Sequence, residues 1–463
     1  MYFEQFYLTC LSHASYMLGS DGVAAVVDPQ RDVELYLRAA EENNLDIKYV
    51  IETHLHADFV SGHQELAART GASIYLGAKA GAKFAHVPVQ DGDQLAFGGC
   101  RLDFLETPGH TIEGVSVVVT DLAKSPEPFA VLTGDTLFIG DVGRPDLGGE
   151  LTPRQLAGML YDSLHGKLLK LPDSVQVFPA HGAGSLCGRQ MSSERSSTIG
   201  KEKAANYALL PSSREAFVEM LTAELPERPS YFALDVEINR SGAPSMAELK
   251  PIAALQPSEF AARQRQGAIA LDTRPAGDFG AAHVPGSLQI GLAGQYASWA
   301  GILLGLDSEL LLIAEDLERV NESRTRLARV GIERVSGYLD NGIAGWIEAG
   351  LPVEQTPQIT VQQLHETLAD RDSGPRVIDV RRPAEWEAGH VEQATLMPLN
   401  TLSGLLHVLN PAEPLAVYCK GGYRSAIAAS ILQRAGFQHV MNVIGGYDAW
   451  HASQLPSAAG GKV

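Results

Sequence analysis

The chain has 463 residues, too many for one ordinary core, so about two to four domains are expected. Hydrophobic residues make up 45% of the sequence and charged residues 20%, which is typical of a globular protein. The formal net charge of −19 argues against nucleic acid or an anionic membrane as a partner, because both require a basic face.

Cysteine use and the N-terminal sequence favour a cytoplasmic protein. The four cysteines, Cys10, Cys100, Cys187 and Cys419, form no CxxC pair. This number and spacing indicate neither a disulfide framework nor a thiolate zinc cluster. The N-terminal segment lacks the basic and apolar regions of a signal peptide, and no apolar run approaches the ~20 residues of a membrane helix.

In the N-terminal region, predicted strands alternate with helices. The short β-branched runs at 23–29 and 47–54 predict buried strands. Residues 62–71 predict a helix that ends at Gly71. The segment 191–243 is more helical and polar, so the first domain is predicted to span 1–250 with a helical extension.

An internal duplication follows this domain. The segment IALDTRPAGDFGAAHVPGS resembles RVIDVRRPAEWEAGHVEQA, and Asp272 matches Asp379 at an offset of 107 residues. Each copy predicts a small α/β domain with a parallel sheet, the first at 253–354 and the second at 359–455. The segment EQTPQ is the predicted linker, and the tail SAAGGKV is predicted to be frayed.

Residues that commonly bind metals follow four predicted strands of the first domain. The ends of strands are where α/β proteins gather their chemistry. A single His or Asp at a strand end is more often a cap or a turn residue, but four such places in order indicate a metal site. Imidazoles and carboxylates together suit zinc or non-haem iron. The motifs THLHADF, PGHT, TGDT and PAHG contribute His54, His56, Asp58, His110, Asp135 and His181.

This order of motifs resembles the metallo-β-lactamase superfamily, whose pattern is HxHxDH, then His, Asp and His. The resemblance covers about residues 1–245 and implies the αββα fold of that superfamily. One position departs from the pattern, because Phe59 replaces the last His of the first motif. In binuclear hydrolases of the family that His binds the second metal, so the second site is expected to be impaired.

Within the superfamily the sequence is most similar to the persulfide dioxygenases, which hold a single iron. The resemblance implies one Fe²⁺ per chain, bound by His54, His110 and Asp135 as a facial triad with open coordination positions. The remaining residues, His56, Asp58 and His181, would orient the ligands or water, or remain from a lost second metal site.

Two further residues of this domain have alternative interpretations. Arg144 lies in GRPDLGG, where the family has an arginine-containing loop, so it either binds an anionic substrate group or forms a surface salt bridge. Cys187 lies six residues after His181 and either packs in the core or exchanges with substrate sulfur.

A second candidate site lies in the C-terminal copy, at the end of the predicted strand LAVY. Cys419 ends this strand, and Arg424 opens the following helix. The inward N–H groups of the glycine-containing loop and the helix N-terminus favour a reactive thiolate and bind anions. A buried structural cysteine is the alternative, which the loop composition disfavours. The predicted substrate-binding residues are Lys420, Gly421, Gly422, Tyr423 and Ser425.

The Cys-x4-Arg loop, with the motifs DVR, GHV and GGYDAW, resembles the rhodanese family. The resemblance implies sulfur transfer with Cys419 as nucleophile and Arg424 in the anion cradle. Related arsenate reductases and phosphatases have a loop one residue longer. In the first copy the loop reads AEDLER, with Ala314 in place of the cysteine and Arg319 in place of Arg424. That copy is predicted to be catalytically silent, because it lacks a nucleophile and carries carboxylates.

Together the two resemblances imply an enzyme that oxidises a low-molecular-weight thiol persulfide with O2 to sulfite and thiol. Cys419 would interconvert persulfide, sulfite and thiosulfate. One alternative is a zinc hydrolase of the glyoxalase II or lactonase type with an appended sulfurtransferase, and another is a sulfur carrier without the oxidation. The thiol, the direction of transfer and a homo-oligomeric state are left open by the sequence.

Overall fold

The computed structural model describes residues 1–149, 151–211, 213–225, 227–369 and 374–460, and it divides into two compact units. The first comprises Met1–Leu249 with Ala328–Gly331, and the second comprises Lys250–Leu327 with Ile332–Val463. In these ranges no helix is long and apolar enough to cross a membrane.

The first unit contains two six-stranded sheets. In the first sheet the first three strands are antiparallel and the next three continue in parallel. Its strands are Tyr2–Leu8, His13–Ser20, Val23–Val27, Asp46–Glu52, Ser73–Gly77 and Val87–Val89. Those of the second sheet are Gln94–Phe97, Cys100–Glu106, Val115–Asp121, Ala130–Gly134, Gln176–Pro179 and Ser197–Thr198.

Helices cover the outer face of each sheet, which gives four layers. Along Val23–Val27, Ala25 and Val27 pack between the sheets, while Ala24 and Val26 pack against the helices, because side chains of a strand alternate between its faces. The helices on the first sheet are Glu34–Glu42 and His63–Thr70, and those beside the second are Pro153–Gly166, Ile199–Ala205 and Arg214–Thr222. Phe232–Ser241 and the short helices Leu168–Lys170, Tyr207–Leu209 and Met246–Glu248 complete the unit.

The second unit contains two five-stranded parallel sheets with the same strand order. The first repeat has strands Ala253–Leu255, Ile269–Asp272, Leu288–Gln289, Leu310–Ile313 and Val335–Leu339, and helices Pro257–Arg265, Ala276–Ala281, Tyr296–Leu303, Leu317–Ala328 and Gly342–Glu348. The second has sheet strands Gln358–Ile359, Arg376–Asp379, Thr395–Leu396, Leu415–Tyr418 and Val440–Val443. Its helices are Val361–Leu368, Pro383–Ala388, Leu402–Leu405, Leu406–Val408, Tyr423–Arg434 and Gly446–Ala452.

The predicted fold class, an αββα unit followed by two repeats with parallel sheets, is confirmed. The motifs shared by the repeats are structural, since Asp272 pairs with Arg274 at 2.6 Å and Asp379 with Arg381 at 2.7 Å. The prediction of a frayed tail is wrong in part. Ser457–Ala458 pairs with His390–Val391 as a small antiparallel ladder, and residues 461–463 of that tail lie outside the described part of the chain.

Candidate metal centre and cysteine site

The first site forms where three strands of the first unit end. His54 follows Asp46–Glu52, His110 follows Cys100–Glu106, and Asp135 follows Ala130–Gly134. The structure brings these three buried side chains together, with one donor atom of each within 4.8 Å of the others. Asp135 Oδ2 lies 3.4 Å from His110 Nε2 and 3.8 Å from His54 Nε2.

In both histidines, the ring nitrogen that faces away from the cluster makes a hydrogen bond. His54 Nδ1 lies 2.9 Å from the hydroxyl of Thr53, which in turn donates to Asp28. His110 Nδ1 donates to the carbonyl of Arg144 at 3.0 Å. Both rings therefore direct an unprotonated Nε2 into the cluster, which is the tautomer that a metal requires.

Two of the converging atoms, His110 Nε2 and Asp135 Oδ2, are buried and have no hydrogen-bond partner among the described residues. A buried polar atom without a partner is costly, so the cluster fits a bound ion better than an empty core. Burial lowers the pKa of His110, and burial with the adjacent His56 lowers the pKa of His54 well below its usual range. The residues present therefore fit a divalent metal.

His56 points away from this cluster. Its Nε2 lies 3.2 Å from Asp28 Oδ1 and 3.5 Å from Glu52 Oε2, and all three side chains are buried. Burial favours the neutral imidazole, but Asp28 and Glu52 outweigh it and raise the pKa of His56. His56 is thus ion-paired with two carboxylates, and these three side chains form a second cluster with the spacing of metal ligands.

Phe59 fills the position beside His56, with the two ring centroids 4.4 Å apart. His181 is also engaged, since Nδ1 lies 2.8 Å from Asp135 Oδ1 and Nε2 lies 2.9 Å from Asp58 Oδ2. Burial opposes the charged ring, yet Asp135 and Asp58 raise the pKa of His181 well above its usual range. His181 therefore bridges two carboxylates, through a hydrogen bond between Nδ1 and Asp135 and an ion pair between Nε2 and Asp58.

Cys187 lies in the same buried region, within 4.8 Å of donor atoms of Asp58 and His181. Burial, followed by the charges of Asp58 and Asp135, raises the pKa of the thiol well above its usual range. The structure thus places Cys187 near the predicted metal centre, and its exchange with substrate sulfur stays a prediction.

Arg144 forms a salt bridge, but a buried one and not the surface salt bridge that was the alternative to substrate binding. Its Nε and Nη2 lie 2.7 and 2.8 Å from the carboxylate of Asp146, and Nη1 donates to the carbonyl of Leu186 at 3.2 Å. The charge of this buried guanidinium is offset, and its backbone carbonyl orients His110. Substrate binding by Arg144 stays a prediction.

Sequence reasoning missed Asp28 and Glu52. Asp28 follows the strand Val23–Val27 and adopts a left-handed backbone at φ 51°, which is uncommon outside glycine. It accepts hydrogen bonds from both the N–H and the hydroxyl of Thr53. The strand-end rule that identified His54 also applies to Asp28 in VVDP, whereas nothing local marks Glu52 as a partner of His56.

The second site lies at the end of the strand Leu415–Tyr418. The sulfur of buried Cys419 accepts a hydrogen bond from the N–H of Gly422 at 3.1 Å, and the hydroxyl of Ser425 lies 3.6 Å away. The helix that follows begins at Tyr423, so its N-terminus faces the loop. Backbone and helix dipole together favour negative charge at this sulfur.

The other predicted loop residues differ in their surroundings. Arg424 makes two contacts of 2.7 Å with the carboxylate of Glu385. Lys420 and Gly421 are exposed at the loop. The hydroxyl of Tyr423 donates to the carbonyl of Gly291 in the first repeat at 2.8 Å, and its substrate-binding role stays a prediction.

In the first repeat the matching loop carries a carboxylate where an anion would bind. Ala314 is buried at the end of Leu310–Ile313. The side chain of Asp316 accepts a hydrogen bond from the N–H of Arg319 at 2.8 Å, in the first turn of the following helix. The helix N-terminus is thus capped from within, which agrees with the predicted silence of this repeat.

Comparisons with known proteins cover both units. The metallo-β-lactamase superfamily matches residues 8–181, and the rhodanese-like domain matches residues 256–349 and 360–453. The chain is 31% identical to a hydroxyacylglutathione hydrolase of Methylobacillus flagellatus over 53% of this chain and 91% of that protein. It is 30% identical to the mitochondrial persulfide dioxygenase ETHE1 of Bos taurus over 46% of this chain and 78% of that protein.

A solved structure extends the similarity beyond the first unit. A metallo-β-lactamase from Staphylococcus aureus subsp. aureus COL is 32% identical, with a TM-score of 0.66. The match covers 73% of this chain and 98% of that one. The two curated relatives carry the names of different reactions, so similarity alone does not decide between them.

Proposed function

The chain belongs to the metallo-β-lactamase superfamily and carries two rhodanese-like domains, and on this basis we propose that it is an iron-dependent persulfide dioxygenase joined to a sulfurtransferase. The proposed oxidation is RSSH + O2 + H2O → RSH + SO3²⁻ + 2 H⁺, with a low-molecular-weight thiol persulfide as substrate. Sulfur transfer through Cys419 would then connect persulfide, sulfite and thiosulfate.

The observation that carries the proposal is Phe59 in place of a metal-binding His, beside a His56 that is ion-paired with Asp28 and Glu52. A binuclear hydrolase needs ligands for a second metal, and Phe59 offers none where the family pattern has a His. Among the described residues, one of the clusters that could hold a metal ion consists of two imidazoles and one carboxylate, from His54, His110 and Asp135. That set is the facial triad of mononuclear iron oxygenases.

The residues of the first unit would hold and orient the metal. His54 and His110 offer Nε2, Asp135 offers Oδ2, and their opposite atoms are fixed by Thr53, Arg144 and His181. Bound ferrous iron would supply electrons to dioxygen, which zinc does not do. The charged ring of His181 keeps Asp135 ionised, since it is the largest influence opposing burial and the pKa of Asp135 lies well below its usual range.

At Cys419 the proposed chemistry is transfer of one sulfane sulfur. The thiolate attacks the terminal sulfur of a persulfide, the S–S bond breaks, and RS⁻ leaves with the bonding electrons. The N–H of Gly422 stabilises negative charge on the cysteine sulfur. The Cys419 persulfide then gives its outer sulfur to sulfite, which forms thiosulfate and restores the thiolate.

The alternative is a zinc hydrolase, favoured by the 31% identity to a hydroxyacylglutathione hydrolase. Loading the metal-free protein separately with Fe²⁺ and Zn²⁺ tests the two reactions. We expect about one iron per chain, persulfide-dependent oxygen uptake only with iron, and no hydrolysis of S-lactoylglutathione with either metal. About two zincs per chain and rapid thioester hydrolysis would instead support the hydrolase.

A further inference from the structure

The first repeat contacts the active loop of the second through Tyr423. This residue opens the helix Tyr423–Arg434, four positions after Cys419. Its hydroxyl donates to the carbonyl of Gly291 at 2.8 Å. We propose that the silent repeat holds this helix, and through it the N–H of Gly422, in register with the Cys419 sulfur. This role rests on the proposed sulfur transfer at Cys419.

The segment that contacts Tyr423 has a glycine, Gly294, at the point where the aromatic ring comes closest. A Cβ atom on Gly294 would lie 2.4 Å from Tyr423 Cζ, far inside van der Waals contact. Neither Gly291 nor Gly294 is among the glycines with positive φ, so their backbone conformation is open to other residues. A side chain at position 294 would therefore act by displacing the ring of Tyr423.

The receiving segment is fixed within the first repeat. Arg326 donates through Nη1 to the carbonyl of Leu292 at 2.6 Å and through Nη2 to the carbonyl of Gly294 at 2.9 Å. Its Nη1 also lies 3.1 Å from Glu322. Arg326 belongs to Leu317–Ala328, the helix that follows the loop with Ala314 in place of the cysteine. This helix of the first repeat thus supports the segment against which Tyr423 packs.

The same repeat holds the helix Tyr423–Arg434 near its other end. The N–H of Gln289 donates to the hydroxyl of Ser430 at 3.0 Å, and Thr356, in the linker between the repeats, donates to Gln433 at 2.7 Å. These contacts hold the end of the helix that lies away from the loop. Tyr423 holds the end next to the Gly422 N–H, which meets the Cys419 sulfur at 3.1 Å.

Three variants of the full-length, metal-loaded protein test this positioning role. Gly294→Ala displaces the ring, Tyr423→Phe removes only the hydroxyl, and Ser430→Ala removes an interface contact away from the loop. For each, kcat and KM of thiosulfate:cyanide sulfur transfer are measured. The rate of alkylation of Cys419 by iodoacetamide is followed against pH by peptide mass spectrometry. Thermal unfolding shows whether each variant is folded.

We expect Gly294→Ala to lower kcat about tenfold with KM little changed, since small displacements at a reacting group cost ~10–100-fold. Its alkylation profile should move to higher pH, because the thiolate loses a well-aligned N–H donor. Tyr423→Phe should show the same changes at about threefold, from loss of one hydrogen bond. Ser430→Ala should resemble the wild type in both measurements.

The outcomes separate this inference from the proposed function. A wild-type protein without sulfur transfer would overturn the function of Cys419, while the alkylation profiles would still test the positioning. Folded Gly294→Ala and Tyr423→Phe proteins with wild-type kcat and alkylation profiles would overturn the inference. If Gly294→Ala does not fold, Tyr423→Phe decides alone.

Discussion

The metal centre and the cysteine loop hold their reactive atoms by different means. At the metal centre, the donor atoms come from separate strand ends, and hydrogen bonds to His54, His110 and Asp135 aim them at one point. At the cysteine loop, a few consecutive residues surround the sulfur, with the backbone N–H of Gly422 as its nearest donor. The first arrangement is assembled from distant parts of the sequence. The second is assembled from neighbouring residues, and under our proposal the first repeat keeps it in position.

This difference explains how one repeat could lose its site and keep its fold. The two repeats share strand order, and the equivalent tryptophans, Trp346 and Trp450, donate to the carbonyls of Pro352 and Pro456. Within one loop, Ala314 stands where the second repeat has its cysteine, and the surrounding fold is unchanged. The fold and the function of this domain are therefore separable.

The largest expected effect is the loss of the metal centre alone. His110→Ala should release the bound iron and reduce persulfide-dependent oxygen uptake by at least ~100-fold, because even losing a group that supports a ligand costs ~10–100-fold in metal affinity. Sulfur transfer at Cys419 should stay at the wild-type rate. Metal analysis and the two assays check this, with His86→Ala as the control. Full iron content and activity in His110→Ala would show that the ligand set is wrong.

Cys419→Ser should have the opposite effect, which is to remove sulfur transfer and keep the activity of the metal centre. The serine hydroxyl stays protonated near neutral pH and cannot form a persulfide, so thiosulfate:cyanide transfer should fall below detection. Oxygen uptake with a free persulfide should stay within about twofold of the wild type, since the metal ligands and Cys419 belong to separate domains and the persulfide reaches the metal from solution. Cys10→Ser is the matched control. If Cys419→Ser stops oxygen uptake at saturating persulfide, the metal centre is fed through this cysteine and the two sites are not independent.

A smaller effect is expected from Glu385→Gln, which frees the guanidinium of Arg424. The two side chains meet at 2.7 Å and are 29% and 16% exposed, so the ion pair is only partly screened by solvent. Releasing it should lower KM for thiosulfate about threefold to tenfold, the equivalent of ~1 kcal/mol. Glu387→Gln, an exposed carboxylate on the same helix, is the control. An unchanged KM in Glu385→Gln would mean that Arg424 does not contact the anion.

The smallest expected effect is that of Ala314→Cys in the Cys419→Ser background. We expect no sulfur transfer, because the carboxylate of Asp316 already caps the helix and would repel both thiolate and anionic substrate. Thiosulfate:cyanide activity is the measurement. Transfer above that of Cys419→Ser alone would show that the missing cysteine, and not the charge of the loop, keeps the first repeat silent.

Much of the metal centre could be predicted because its residues follow strands that are recognisable locally. The short apolar runs before His54, His110 and Asp135 are strands in the structure, and the helix His63–Thr70 ends at Gly71 as expected. The duplicated motifs likewise predicted two repeats of the same topology. Periodicity and turn residues carry this information within about ten positions of the chain.

Other contacts depend on tertiary packing that no local pattern encodes. Asp28 meets His56 because Val23–Val27 pairs in parallel with Asp46–Glu52, which a sequence does not reveal without the strand order. The pairing of Arg424 with Glu385 and the reach of Tyr423 to Gly291 join segments 39 and 132 residues apart. These contacts decide which candidate side chains are available to a ligand.

The most direct test of the central claim is the balance between oxygen and sulfite in iron-loaded Cys419→Ser, with glutathione persulfide as the probe. Without Cys419 no sulfite is converted to thiosulfate, so the terminal sulfur oxidised at the metal centre should be recovered intact. We predict equal amounts of dioxygen consumed and sulfite formed, with both lost in His110→Ala. An iron-loaded protein that consumes no oxygen with this persulfide, and instead hydrolyses a lactoyl thioester, would contradict the account.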